Sequence, residues 1–386
     1  MLHTTALRRA RLAGEGVLRQ ASPMPSGKAL RDLEITGLRS HPLREPVSRR
    51  AYAVLRLEAR SGLAGYGECP EISASVLAEA RPAILGQSAA AHAIMGERLA
   101  GWPGLRAAVN MAMLDLVGRF SGAPVFQILG GPTRFKARAL APLEGESDSE
   151  LEASLRRAAQ AGFRTFLVPV PRPTARNQGQ AFVQAAGRRL DTLAAAGGEN
   201  ANFVLDGAGK LTPGDAASLC KALEKFHLNW FDEPSAGASF GTLAKLAAET
   251  VTPIGFGRHL HDPAAFLDLL REAVVDVIRP PVGISGISQI RRMAALAETY
   301  YVAAAPYHDG GPVATAAALH LAASLPNFFI QQIPFPSAPE DVRMRAELTG
   351  GSVEAVREGF AGLPRGPGLG ISVDEKALER YREGTA

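Results

Sequence analysis

Three polar residues stand at one interval. Asp206 closes the apolar run NFVLD, Asp232 closes LNWFD and Arg258 follows PIGFG, so 232 − 206 and 258 − 232 are both 26. Each lies at or just past the C-terminal end of a short run of strand character, one strand-and-helix repeat from the next. If the three runs are neighbouring parallel strands, two carboxylates and a guanidinium meet at one end of the sheet. Two carboxylates that close repel, and one is pushed toward its protonated form unless positive charge intervenes. Arg258 could supply that charge, since its planar fork of donors suits carboxylates. The spacing predicts that Arg258 bridges Asp206 and Asp232.

Other candidates follow in sequence. His308, in PYHDGG, is the acid or base candidate because imidazole titrates near neutral pH. Asp309 beside it is placed to tune it. Arg279 ends VDVIR and is expected either to hold an anionic ligand or to form a salt bridge within the barrel. His259 and His261 flank Arg258 without a chemical role assigned to them. Glu68 and Cys69 are expected to be structural.

The elements that must position these residues are legible as a change of period. Leu33 to Leu38, Ala51 to Glu58 and Leu63 to Glu68 alternate as antiparallel strands, with turn-rich Ser40 to Ser48 between the first two. Helical spacing follows over Ala74 to Ile84 and Leu105 to Phe120. From Ala137 onward, short apolar strands alternate with helix-length stretches. The strands are Ala137–Ala141, Thr165–Val170, Asn202–Leu205, Leu228–Phe231, Pro253–Phe256, Val274–Ile278, Tyr301–Ala305 and Phe328–Gln331. Helices are expected over Ala216–Lys225, Phe240–Glu249, Pro263–Glu272, Ser288–Glu298 and Pro312–Leu325. Buried parallel strands need crossover helices, so this alternation predicts a closed (β/α) barrel of the α/β class whose C-terminal strand ends carry the site. No glycine-rich phosphate loop follows the first strand, which disfavours a dinucleotide-binding open sheet.

Composition narrows the classes. Hydrophobic residues make up 46% and charged residues 21% of 386 residues, the balance of a soluble globular chain long enough for two domains. Two cysteines, Cys69 and Cys220, make no disulfide framework or C-x-x-C motif, which fits a reducing cytoplasmic setting. No apolar run is long enough to span a bilayer. Residues 1–50 hold ten Lys/Arg and four Asp/Glu, a charge of +6, so the remainder of the +4 chain carries −2. A nearly neutral body argues against a nucleic-acid surface. The pair Arg8-Arg9 hints at an export signal, but Arg11 and Glu15 interrupt the stretch where an apolar segment belongs. Residues 1–30 are therefore expected to be a disordered leader.

Several segments, taken in order, resemble one family. GLAGYGE (62–68), AAVNMAMLDLVGRFSGAPVFQILGG (107–131), WFDEP (230–234), APYHDGGPVATAAALHLAASLPNF (305–328) and GPGLGISVDEKALERY (366–381) look like the enolase superfamily, specifically its mandelate racemase and muconate lactonizing enzyme group and the acid-sugar dehydratase branch. The resemblance implies a modified TIM barrel, (β/α)7β, over residues 136–350. It also implies an α+β capping domain over 31–135 and a segment, 351–386, that returns to the cap. It implies Mg²⁺ held by three carboxylates, a base that removes the proton α to a substrate carboxylate, and a symmetric homo-oligomer. The substrate class is a small carboxylate or acid sugar. Residue by residue, the first two ligand positions fall on Asp206 and Asp232. The third falls on Arg258, which has donors and no acceptor, so a metal site of this kind would need Glu233 or His261 to move inward. The family's Lys-x-Lys positions fall on Leu167 and Pro169, and the aspartate that orients the histidine falls on Pro281. His308 keeps its place. The family's chemistry is thus expected in weakened, metal-free or silent form.

Overall fold

The computed structural model of the chain describes residues 31–172, 179–235 and 240–382. The expected leader, residues 1–30, lies outside them.

The chain opens on three antiparallel strands, β1 (Ile35–Arg44), β2 (Ala51–Ala59) and β3 (Ala64–Cys69), in that order across the sheet. β1 runs to Arg44, further than its alternation suggested, because pairing with β2 continues to Arg44↔Ala51. Pro42 is tolerated there since β1 is an edge strand with one unpaired side. Helix α1 (Ala74–Ile84) matches its expected bounds, and α2 (His92–Arg98) and α3 (Pro103–Ser121) complete the cap. The α3 helix packs directly on β3. A Cβ at Gly65 would lie 2.3 Å from the Ala112 carbonyl oxygen, and one at Gly67 would lie 1.9 Å from that of Ala108. Only glycine allows the backbones so close.

Eight parallel strands follow among the described residues. They are β4 (Lys136–Pro142), β5 (Thr165–Pro169), β6 (Asn202–Asp206), β7 (Trp230–Asp232), β8 (Ile254–Phe256), β9 (Val277–Ile278), β10 (Ala303–Ala304) and β11 (Gln331–Gln332). Neighbours pair in sequence order. β11 returns to β4, and a parallel bridge Ala304↔Phe328 closes the ring. Between them run α4 (Asp148–Gln160), α5 (Gly179–Gly197), α6 (Pro213–Leu223), α7 (Phe240–Glu249), α8 (Pro263–Arg271), α9 (Val282–Glu298) and α10 (Pro312–Ser324). This is a modified TIM barrel of the (β/α)7β kind with a capping domain before it. Local chemistry starts the helices where they start. Ser147 and Glu150 form a capping box on α4, while Thr212 caps α6 ahead of Pro213.

One apolar residue from each of seven strand regions fills the barrel axis: Leu140, Leu167, Val204, Trp230, Val277, Ala305 and Ile330. Full burial of each larger side chain contributes about 1.5–3 kcal/mol. This layer is the floor beneath the barrel mouth. Strands β9 and β10 are shorter than their apolar runs. At β9 the Asp276 carboxylate, not a backbone carbonyl, accepts from Ile254 N–H at 2.8 Å, so the regular ladder starts one residue later. Helix α9 begins earlier than expected and is broken at Gly286 (φ 69, ψ 179). After the barrel come α11 (Pro339–Leu348) and a hairpin, β12 (Val356–Arg357) with β13 (Phe360–Gly362), which pairs antiparallel with β4. The last helix, α12 (Glu375–Arg380), reaches the cap, where Glu375 accepts from Tyr66 Oη at 2.9 Å and Arg56 Nε at 2.8 Å.

Candidate active site

Asp206 and Asp232 are the last residues of adjacent strands and are ladder partners. The chain leaves β8 through Gly257, at φ 117, and presents Arg258 on the same side. Arg258 Nη1 donates to Asp206 Oδ2 at 3.1 Å, and Nη2 donates to Asp232 Oδ2. Its backbone N–H and that of Gly257 both donate to Glu233 Oε1 at 2.7 Å, which fixes where the arginine emerges. Glu233 itself takes a left-handed turn (φ 43) to face that loop.

Arg279 is the second guanidinium on Asp232. Its Nε lies 3.1 and 3.2 Å from the two carboxylate oxygens. Nη1 donates to the Ala305 carbonyl at 2.6 Å and Nη2 to Gln332 Oε1 at 2.7 Å. The side chain is completely buried. It therefore forms the salt bridge within the barrel and is not placed to hold an incoming anion, because its donors already have partners under the mouth. The Tyr307 ring stands over both arginines, 4.7 Å from the Arg258 guanidinium carbon and 5.8 Å from that of Arg279. Its hydroxyl donates to Asp309 Oδ2 at 2.7 Å.

The charges shape one another. Burial raises the Asp206 carboxyl above its usual range, with Arg258 opposing and Asp232 adding to the rise. Glu233 is pushed up to about 7 by burial and by the charge of Asp232. Burial alone would lower the Arg258 guanidinium, but Asp232 and Asp206 outweigh it and hold it above its ordinary value. Two guanidiniums face two aspartates, so the cluster is balanced without another ion.

A divalent cation does not fit this donor set. Both aspartates already accept from guanidiniums, and the third position offers only N–H donors. The two residues that could have completed a metal site do not turn inward: Glu233 binds backbone N–H groups, and His261 Nδ1 lies 3.4 Å from the carbonyl of His259. Among the described residues no group of three or more His, Cys, Asp or Glu is arranged around a common point for a metal.

His308 is buried and turned onto its own loop and the first turn of α10. Nε2 lies 2.9 Å from Thr315 Oγ1 and 3.1 Å from the Gly311 carbonyl, while Nδ1 faces the Gly310 N–H at 3.4 Å. Burial, with Arg345 adding, lowers it to about 4, so at neutral pH the imidazole is uncharged. His308, Asp309 and Arg258 line a cavity of about 310 Å³ between cap and barrel, together with Tyr52, Glu68 and Tyr307. The Tyr52 hydroxyl and Arg258 Nε are buried without hydrogen-bond partners among the described residues. Glu68 accepts from the N–H groups of Gly311, Val313 and Ala314 at the start of α10. Burial pushes it up to about 7 despite those donors.

Sequence reasoning missed Tyr307, although it immediately precedes His308. It also missed a second ionic cluster that closes the cap over this cavity. Arg345 of α11 donates to Glu45 through Nη1, to Glu354 through Nε and Nη2 (2.7 and 2.6 Å), and to the Gly310 carbonyl (2.9 Å). Arg50 Nη1 meets Glu45 at 3.2 Å. Asp341 accepts the Val47 and Ser48 N–H groups, each at 2.8 Å. Loop 45–50 of the cap is thus latched to the barrel. No local sequence pattern marks partners about 300 positions apart.

Residues 150–377 match the family model for the enolase C-terminal domain-like family, and residues 38–130 match that for the N-terminal domain of mandelate racemase and muconate lactonizing enzyme. The chain is 30% identical over 286 residues to D-galactonate dehydratase of Ralstonia pickettii (strain 12J), covering 72% of this chain and 73% of the other. It is 27% identical over 359 residues to D-galactonate dehydratase of Verminephrobacter eiseniae (strain EF01-2), covering 85% and 91%. Among solved structures, the mandelate racemase/muconate lactonizing enzyme-like protein from Rubrobacter xylanophilus DSM 9941 superposes with a TM-score of 0.82 at 25% identity, covering 92% of this chain and 98% of that one. No helix among the described residues is long and apolar enough to cross a membrane.

Proposed function

From the premise that the chain belongs to the enolase superfamily, in the mandelate racemase and muconate lactonizing enzyme group, we propose that it is a dehydratase-type lyase for a small carboxylate or acid sugar, with Arg258 standing in place of the metal. The observation that carries this reading is the Arg258 fork on Asp206 and Asp232 beside a cavity roofed by the cap. Dehydration removes the proton α to the carboxylate and expels the β-hydroxyl as water. The electron pair freed at Cα builds negative charge on the carboxylate before it forms the new double bond. A fixed guanidinium stabilises that developing charge. A single positive charge, already shared with two aspartates, does so less well than a divalent ion, so slow turnover is expected.

His308 is the acid–base group in this reading. A neutral imidazole with a low pKa accepts a proton reluctantly and returns it readily, which suits delivery to the departing hydroxyl. Tyr307 and Asp309 hold Arg258 and the neighbouring loop in place.

The test is turnover of D-galactonate, the substrate in the relatives' names, and of other acid sugars by metal-stripped protein. Expected is keto-acid formation that added Mg²⁺ does not change and that falls roughly 10²–10³-fold in Arg258→Ala, the usual cost of losing one oxyanion donor. Turnover that requires Mg²⁺, or that survives in Arg258→Ala, overturns the proposal. A second reading, ligand binding without turnover, is favoured by one observation: both His308 ring nitrogens are already engaged, by its own loop and by Thr315 of α10. Acid-sugar binding in calorimetry without product would select it.

A further inference from the structure

The cavity under the cap is walled largely by carbon. Its cap side carries Ala51, Cys69 and Pro70, and its barrel side carries Pro281, Val282 and Ile284 from the start of α9. The two sides meet. A Cβ at Gly283 would lie 3.3 Å from Pro70 Cδ, so the cap loop after β3 rests on the first turn of α9. Pro281 reaches the cavity because it bridges in parallel to Tyr307 of the next barrel unit, with Val282 N–H donating to the Tyr307 carbonyl at 2.9 Å. A pyrrolidine ring, with nothing to donate or accept, thus stands where the resemblance expects an orienting aspartate.

The polar lining is mostly committed among the described residues. Glu68 takes the N–H groups of Gly311, Val313 and Ala314. His308 bonds the Gly311 carbonyl and Thr315, and each Nη of Arg258 holds an aspartate. Glu68 and His308 are also buried, at 1% and 2% exposure. The lining groups that keep exposed polar surface are Arg50, Asp309 and the outer edge of Arg258, whose side chain is 14% exposed. Of these, Arg258 is the cation beside His308 that a carboxylate would meet.

The two kinds of ligand fare differently in such a space. A sugar acid brings a hydroxyl on every carbon, and each one moved under the cap gives up water for few partners. A hydrocarbon group gives up no hydrogen bond and is favoured by covering Pro70 and Ile284. Resting on the dehydratase reading above, we propose that the substrate is an α,β-dihydroxy carboxylate whose remaining carbons form a compact apolar group, branched or aromatic. Its carboxylate faces Arg258, and its apolar end fills the space between Pro70 and Ile284, which set the preference. The two hydroxyls are those the reaction uses. The Cα–H and Cβ–O bonds break, water leaves, and the enol left behind tautomerises to an α-keto acid with no net oxidation. A volume of about 310 Å³ is that of a small ligand pocket.

The test compares phenylglycerate with D-galactonate by calorimetry on the full chain. The two share the dihydroxy carboxylate head and the number of heavy atoms, and differ in whether the tail is a ring or a polyol. Phenylglycerate is expected to bind about tenfold tighter or more. Ile284→Asn is expected to remove that preference. Should Ile284→Asn not fold, Pro70→Ser, on an exposed cap residue, decides in its place by lowering it. Equal or tighter binding of D-galactonate, no measurable binding of phenylglycerate, or a preference unchanged in the variant overturns the proposal, the last because it places the ring elsewhere. Product is scored separately, so the two readings fall apart cleanly. Keto acid from D-galactonate without a preference for phenylglycerate overturns the apolar substrate and leaves the lyase standing. A preference that Ile284→Asn removes, with no keto acid from either compound, upholds the apolar subsite and removes the lyase.

Discussion

Two buried ionic clusters lie on either side of one cavity. At the mouth, Asp206 and Asp232 face Arg258 and Arg279. At the latch, Glu45 and Glu354 face Arg345 and Arg50. Each sets two acids against two arginines. They differ in reach and in completeness. The mouth joins residues from successive barrel strands, while the latch joins the two domains. The latch engages every nitrogen of Arg345, whereas at the mouth Arg258 Nε is buried and has no hydrogen-bond partner among the described residues. A closed set of charges serves structure. One that lines free volume, as Arg258 does, is placed beside the space a ligand would enter.

The comparison breaks most visibly at the latch. Arg345→Leu leaves Glu45 and Glu354 buried without their main partner, and removal of one side of a buried ion pair costs about 3–5 kcal/mol. Denaturant unfolding should show that loss. A change below 1 kcal/mol, within the range of ordinary exposed pairs, would show that the cluster is not what holds the cap.

The mouth answers to a different change. Arg258→Glu places a third carboxylate beside Asp206 and Asp232. The variant should be less stable than the wild type without metal and regain about 2.7 kcal/mol at Mg²⁺ a hundredfold above its dissociation constant. Wild-type protein should show no such gain. A Mg²⁺ response in the wild type would mean that the arginine yields its place.

The smallest effect concerns Glu68, which ties the cap strand β3 to α10 between the two clusters. A carboxyl whose folded value is raised to about 7 binds more protons in the folded chain between about 4.5 and 7. Its contribution is present below 4.5 and is lost as pH rises through 7. His308, lowered to about 4, acts in the opposite sense, so its contribution is lost as pH falls from about 6.5 to 4. The two partly cancel. Glu68→Gln removes the first, so the variant's stability should climb more steeply from pH 4.5 to 7 than the wild type's, by up to about 3 kcal/mol across the window. Parallel curves would show that Glu68 is ionised throughout.

What was legible in the sequence was periodic or local. The 26-residue interval works because strand, helix and loops repeat with nearly equal length, which brings Asp206, Asp232 and Arg258 to neighbouring strand ends. Helix α1 was bounded correctly by its helical spacing, and in the structure Ser73 caps it by accepting from Val76 N–H. Strand ends were less legible where a side chain such as Asp276 replaces a backbone partner. Arg279 could be placed at a strand end but not oriented, since its partners Ala305 and Gln332 come from two later barrel units. The latch left no trace, because Glu45 and Arg345 meet only once the cap has docked.

A metal counter-ion is acquired after synthesis, varies with supply and can be taken away by a chelator. A guanidinium tethered two residues beyond β8 arrives with the polypeptide, one per chain, and cannot exchange. The charge balance of this mouth therefore needs no delivery step and no loading equilibrium. It is inherited with the gene rather than drawn from the surroundings, and every folded copy carries it from the moment its barrel closes.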